Sequence, residues 1–325
     1  VTTRSPITTL GLQIPGFAFP GVPDAHIFST VKNIALRAEE AGFDSIWIMD
    51  HLHQIAAVGD EEDPILEAYT TLAALAACTS SAALGALVTA GGFRNPALLA
   101  KMVTTIDVIS GGRAILGIGG GWHEEEHASY GMPFPPVAER IDRLAEVVEI
   151  CRAMFRDHRP QFTGKHHSID GPLNVPMPLH PDGPPILIGG GGEKKLIPTV
   201  ARLGDACNFF GAPATVRHKI DVLERACDAV GRDPGLITKT WLGTAIVARD
   251  EEELQLGREL LGRQLSLPPD AAAAFAISGL EDEVLEQVAA YRAVGVDGVL
   301  VALQDPHTEG CVERAGAVLR AAMDA

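Results

Sequence analysis

The sequence predicts one closed (β/α)8 barrel, and three observations carry that prediction. Short apolar runs of strand length alternate with helical patterns about eight times, the number of units that a closed parallel barrel needs. The run just after Gly42 is apolar on both faces, as expected of a strand packed inside the barrel and covered outside by helices. That run stops at Asp50-His51, a carboxylate and an imidazole at the strand end where α/β barrels place their chemistry. The chain has 325 residues, 46% hydrophobic and 21% charged, which suffices to bury such a core as a single domain over 1–325.

Taken in order, the first strand is expected near residues 8–14, followed by a Pro- and Gly-rich loop and a helix over about 28–41. Gly42 closes that helix, and the second strand covers 45–49. An acidic loop and a helix over about 66–78 lead to the third strand at 83–89. Asn95-Pro96 then opens a helix, Asn95 as its cap and Pro96 in its first turn, which ends at Ser110-Gly111-Gly112. The fourth strand, 113–118, runs into Gly119-Gly120-Gly121-Trp122. After a helix over about 139–155, residues 157–185 break the pattern with many Pro, Gly and His residues and one alternating run, 161–169. We read this as an insertion after the fourth unit carrying a small hairpin, either a lid over the active-site face or a decorative loop. The units resume with strands at 186–188 and 206–210 and helices ending at 203 and 230. A strand at 238–248, a helical region over 250–293, a strand at 298–303 and a last helix from about 309 complete the chain.

Composition narrows the function. The formal charge of −16 argues against a general affinity for nucleic acid or an anionic membrane, so an anionic ligand would need a local positive site. Five separated cysteines without a Cys-x-x-Cys pair suggest buried thiols in a reducing compartment. Residues 1–10 lack the basic start and apolar run of a signal peptide, and no segment approaches ~18 uninterrupted apolar residues, so the expected location is cytoplasmic.

Four motifs bear on chemistry. Asp50-His51 offers an acid/base candidate, since the unperturbed imidazole titrates nearest neutrality; the competing reading makes Asp50 a helix cap and His51 a surface residue. Gly189-Gly190-Gly191-Gly192 follows a strand and opens a helix, so backbone N–H groups there can approach an anion; a tight turn without a ligand, with Lys194 and Lys195 merely solvated, is the alternative. The run 117–122 lacks the third glycine of the dinucleotide fingerprint, and no segment fits the Walker A pattern. His123-Glu124-Glu125-Glu126-His127 matches the H-E-x-x-H zinc motif, but Gly131 and Pro133 limit any helix there to about two turns and no third ligand is obvious; no metal is expected.

Several spaced segments together resemble the luciferase-like monooxygenase superfamily: Gly42-Phe43-Asp44-Ser45-Ile46-Trp47 through Asp50-His51, Phe93-Arg94-Asn95-Pro96-Ala97, Ile109 to Arg113 with Gly117 to Trp122, and Tyr130-Gly131-Met132-Pro133-Phe134. The similarity covers nearly the whole chain, and within the superfamily it is closer to the members that use the deazaflavin coenzyme F-420. It implies a luciferase-like TIM barrel and hydride transfer between F-420 and a small organic substrate. It places Asp50 and His51 beside the redox ring, with His51 as the acid/base. Leu87, Val88 and Thr89 fall at a backbone bulge behind the ring, which in relatives contains a non-proline cis peptide. Gly120 and Gly121 belong to the fourth-strand turn, and Gly189, Gly190, Gly191 and Gly192 match the phosphate turn. His127 and Tyr130 fall near positions that help hold the FMN phosphate in some flavin branches. The alternatives within the resemblance are an FMN-dependent monooxygenase fed by a separate reductase, and outside it a non-catalytic barrel that only binds the coenzyme. Relatives are often homodimers. One departure stands out: sugar-phosphate dehydrogenases of the superfamily carry a catalytic glutamate just after the fourth-strand glycines, and Trp122 occupies that place here.

Overall fold

A computed structural model describes residues 9–273 and 275–325; Thr8, expected in the first strand, lies outside them. The strands among these residues are β1 (Leu10–Ile14), β2 (Ser45–Ile48), β3 (Ala83–Ala86), β4 (Thr89–Ala90), β5 (Ala114–Gly119), β6 (Gln161–Thr163), β7 (Ser168–Asp170), β8 (Ile186–Gly189), β9 (Ala206–Phe209), β10 (Thr238–Val247), β11 (Ala276–Gly279) and β12 (Gly298–Leu303). Parallel pairing runs β1-β2-β3-β5-β8-β9-β10-β12, and β12 pairs back with β1, closing a ring of eight. β4 extends the place of β3 against β5, and β11 lies alongside β10 outside the ring.

The two-faced apolar pattern has a direct cause in β2. Ile46 and Ile48 join the large core between the strands and the outer helices, whereas Trp47 joins Leu87, Ile115, Leu187, Ala206 and Leu300 inside the barrel. Trp47 is fully buried and its indole N–H donates to Ser45 Oγ at 2.7 Å. Its ring takes the space beside Gly85, where an added Cβ would come within 2.7 Å of it.

The ends of the third-unit helix, Pro96–Ser110, follow the local chemistry. The Asn95 side chain accepts from the amides of Ala97 and Leu98, and Gly111 closes the helix at φ 74°.

The structure corrects the expected map at five places. The third strand is split into β3 and β4 by the Leu87-Val88 peptide, which is cis. The helix after the glycine turn begins only at Leu196, so three residues separate Gly192 from its first turn. The region 250–293 is not all helical: it contains β11, which pairs with β10. The hairpin of the insertion forms as β6 and β7, yet the segment packs outward and is no lid. Asn174 donates to Thr104 and the Met154 carbonyl, the Leu179 amide donates to Asp107, and no residue of 157–185 lines the barrel-mouth cleft. Finally, Cys78 is exposed rather than buried, although Cys151, Cys207 and Cys227 are buried as expected and all five thiols are free.

Candidate active site

A cleft of about 880 Å³ opens at the carboxyl ends of the barrel strands, a size suited to a cofactor and a small substrate together. Asp50 and His51 leave β2 in different directions. The Asp50 side chain is fully buried and bound by Arg94, Nη1 to Oδ2 at 2.5 Å and Nη2 to Oδ1 at 3.0 Å. Arg94 also donates to Glu67 Oε1 at 2.5 Å and lies 4.5 Å from the centre of the Tyr69 ring. Burial works against the guanidinium's charge, but Asp50, Tyr69 and Glu67 outweigh it and hold its pKa above the ordinary value. Asp50 is therefore the anion of a buried ion pair, and it also lines the cleft beside His51.

His51 is oriented instead by Glu126. Its Nδ1 lies 2.9 Å from Glu126 Oε2 and 3.2 Å from Oε1, and the Leu52 amide donates to Oε1 at 2.5 Å. The Glu126 side chain is fully shielded from solvent, that of His51 nearly so. Burial pushes the Glu126 carboxyl up, but His51 and the Leu52 amide outweigh it and keep it below the usual carboxylate range. A carboxylate can only accept, so the His51 Nδ1 carries the hydrogen and Nε2 is left as the working nitrogen. Trp122 covers the pair, its ring 5.7 Å from that of His51.

Glu126 escaped the sequence reading because it is the third of three successive glutamates. They belong to the six-residue helix Glu124–Ser129, in which Glu124 and Glu125 face solvent while Glu126 and His127 are buried. The one signal available was the i, i+3 spacing of His123 and Glu126, which puts these two on one side of a helical turn. The zinc pattern itself is not assembled. His127 Nδ1 donates to the His123 carbonyl at 2.8 Å, and its ring packs between Phe93 and Phe134. The fold does bring donor atoms of His51, His123 and Glu126 within 4.8 Å of one another, with His51 and Glu126 already hydrogen-bonded.

The backbone bulge is built from glycines. The Val88 side chain lies between β5 and β8, where a Cβ on Gly119 or on Gly189 would come within 2.9 Å of it. Gln13 Nε2 donates to the Leu87 carbonyl at 3.1 Å, and the buried Thr89 hydroxyl bonds Tyr69 at 2.7 Å. Gly120 and Gly121 also line the cleft; a Cβ on Gly120 would meet Ile141 at 2.6 Å.

At the glycine turn, Gly189, Gly190 and Gly192 line the cleft and Gly191 does not. Gly190 has φ 125°, a conformation that side chains strongly disfavour, and its amide bonds the Asn208 carbonyl. The amides of Gly191, Gly192, Glu193 and Lys194 donate to no acceptor among the described residues. These N–H groups in a row, with Lys194 and Lys195 lining the same wall, are the kind of donors that could hold an anion. Lys195 is not simply solvated, since it pairs with Asp142 at 2.7 Å. His127 lines the cleft with Nε2 beside Gly92 and Gly121. Tyr130 does not line it: the side chain is exposed and its hydroxyl donates to the Leu52 carbonyl.

Comparison with known proteins fits this geometry. The family model for luciferase-like monooxygenases matches residues 10–258. An F-420-dependent glucose-6-phosphate dehydrogenase of Kineococcus radiotolerans is 32% identical over 214 residues, 65% of this chain and 61% of that protein. An F-420-dependent hydroxymycolic acid dehydrogenase of Mycobacterium tuberculosis is 29% identical over 218 residues, 67% of this chain and 59% of that protein. The matched segments thus span about three-fifths of these curated relatives. Among solved structures, an F-420-dependent secondary alcohol dehydrogenase in complex with an F-420–acetone adduct superposes with TM-score 0.82 at 20% identity, covering 97% of this chain and 99% of that one. By its family match and its closed barrel, the chain belongs to the luciferase-like monooxygenase family.

Proposed function

We propose that the chain is an oxidoreductase that uses coenzyme F-420 to move a hydride between the coenzyme and a small organic substrate. The observation that carries this reading is one cleft holding both an amide cradle for phosphate and a buried carboxylate–imidazole pair. The cradle fits the phosphate of the coenzyme tail, and Gly189, Gly190 and Gly192 leave room for the backbone to approach it. When bound, the coenzyme supplies the two-electron half of the reaction, accepting or returning a hydride at carbon. The chain supplies the rest. Val88, Thr89 and Trp122 line the cleft that would hold the coenzyme ring, and His51 Nε2 accepts a substrate proton while Glu126 stabilises the charge that forms on the imidazole.

FMN shares the phosphate-bearing tail, so the cradle alone does not choose between the two; the F-420-dependent relatives favour the deazaflavin. A barrel that merely stores the coenzyme would have no use for the buried Glu126–His51 pair. The reading includes a homodimer in the cytoplasm, needs no metal, and involves neither nucleic acid nor membrane. In support, the net charge is −16, and no helix among the described residues is long and apolar enough to cross a membrane.

Fluorescence titration tests the reading: F-420 should bind at least about tenfold more tightly than FMN, a difference of ~1.4 kcal/mol. Equal or tighter binding of FMN refutes it. Gly192→Val should weaken F-420 binding by about tenfold or more by closing the backbone approach, since Gly192 lines the cleft with only the Leu196 side chain close by. Unchanged affinity in the folded variant would put the phosphate elsewhere.

A further inference from the structure

We infer that the substrate is a neutral, largely apolar alcohol, or the corresponding ketone in the reverse direction, and not a phosphorylated sugar. The inference rests on the F-420 reading and adds to it the chemical class of the second ligand. It follows from where the cleft keeps its charges.

Among the described residues, the lysines lining the cleft are Lys194 and Lys195, both on the loop after β8, and no arginine lines it. β8 is the fifth strand around the ring counted from β1, so this loop stands across the mouth from β1 and its neighbour β2. The cradle there is one anion site, and the coenzyme phosphate takes it. A phosphorylated substrate would need a second cation on the His51 side. The charged group bonded to His51 there is acidic, the buried carboxylate of Glu126. Arg94, the nearest guanidinium, is committed to Asp50 and Glu67 and lies outside the cleft lining. His123 also lines the cleft, with its Nδ1 3.8 Å from the Glu126 carboxylate. A phosphate dianion placed here would lose its water, meet no lysine or arginine among the described residues and face a buried anion.

What the wall beside His51 does offer is apolar surface. Pro15 from the loop after β1, Ile55 and Val58 from the loop after β2, and Trp122 after β5 all line this part of the mouth. Such a wall binds a hydrocarbon body, and Nε2 of His51 accepts the hydroxyl hydrogen. The balance closes as an oxidation of a carbinol: its C–H hydrogen leaves with the electron pair for the coenzyme, its O–H proton goes to His51, and a carbonyl remains. Trp122 adds a flat, exposed apolar face to this wall.

Cyclohexanol and glucose 6-phosphate, offered separately to the F-420-loaded protein, test this. Cyclohexanol should be oxidised with kcat/KM at least about 100-fold above the sugar phosphate, a difference of ~2.7 kcal/mol. It should also receive saturation transfer from the protein in NMR, with or without coenzyme, whereas glucose 6-phosphate should not. Ile55→Lys should cut kcat/KM for cyclohexanol tenfold or more and leave the F-420 dissociation constant within twofold. Preference for glucose 6-phosphate, or no saturation transfer to cyclohexanol, overturns the inference. If F-420 fails to bind while cyclohexanol still receives saturation transfer, the coenzyme reading falls and the apolar subsite stands.

Discussion

His51→Ala is expected to lower turnover roughly 10²–10⁴-fold with little loss of coenzyme affinity, the size of a lost general acid/base. The imidazole is placed for that role by a fixed tautomer. Glu126 accepts from Nδ1, so Nε2 is the free nitrogen, and the carboxylate also offsets the charge that appears when Nε2 takes a proton. Glu126→Gln keeps the shape and one acceptor but removes the charge, so its loss should be smaller, about tenfold. Single-turnover kinetics decides. A hydride-transfer rate in His51→Ala within about threefold of the parent, only ~0.65 kcal/mol of barrier, removes His51 from the chemistry.

The barrel was legible because its signal is local and repeated: β2 and β5 are apolar runs bounded by glycine or charge, and each helix between them shows its own period and caps. β11 was not legible. Ala276–Gly279 is four residues long, follows an alanine-rich stretch and precedes a helix of acidic first turn, so it reads as more of the same helical region. Of the site, His51 and the glycine turn could be named because a strand end and a side-chain-free turn are features of sequence order. Glu126 and Arg94 could not be given their roles, since each works through a partner more than forty positions away, Glu126 on His51 and Arg94 on Asp50. The insertion shows the same limit. Its composition announces a loop, but only packing on Thr104, Asp107 and Met154 tells which side of the barrel it covers.

Arg94→Ala is expected to destabilise the fold by about 3–5 kcal/mol, the usual consequence of removing one partner from a buried ion pair. The Asp50 side chain is fully buried, and both its oxygens are taken by the guanidinium. Without Arg94 the carboxylate must remain charged and unpaired, or take up a proton; either route costs stability. Arg94→Lys should recover only part of the loss, because an ammonium cannot span both oxygens of Asp50 and still reach Glu67. Asp50→Asn should destabilise less than Arg94→Ala, since the neutral amide leaves Arg94 its bond to Glu67 and its contact with Tyr69. The effect should also reach the cleft. Tyr69 lies under Arg94 and bonds Thr89, which stands in the wall behind the bulge, so coenzyme affinity should fall in Arg94→Ala while His51 keeps its partner. Urea unfolding of the parent and the three variants measures the first effect and coenzyme titration the second. An Arg94→Ala protein within about 1 kcal/mol of the parent would show that the pair is not what holds this end of β2.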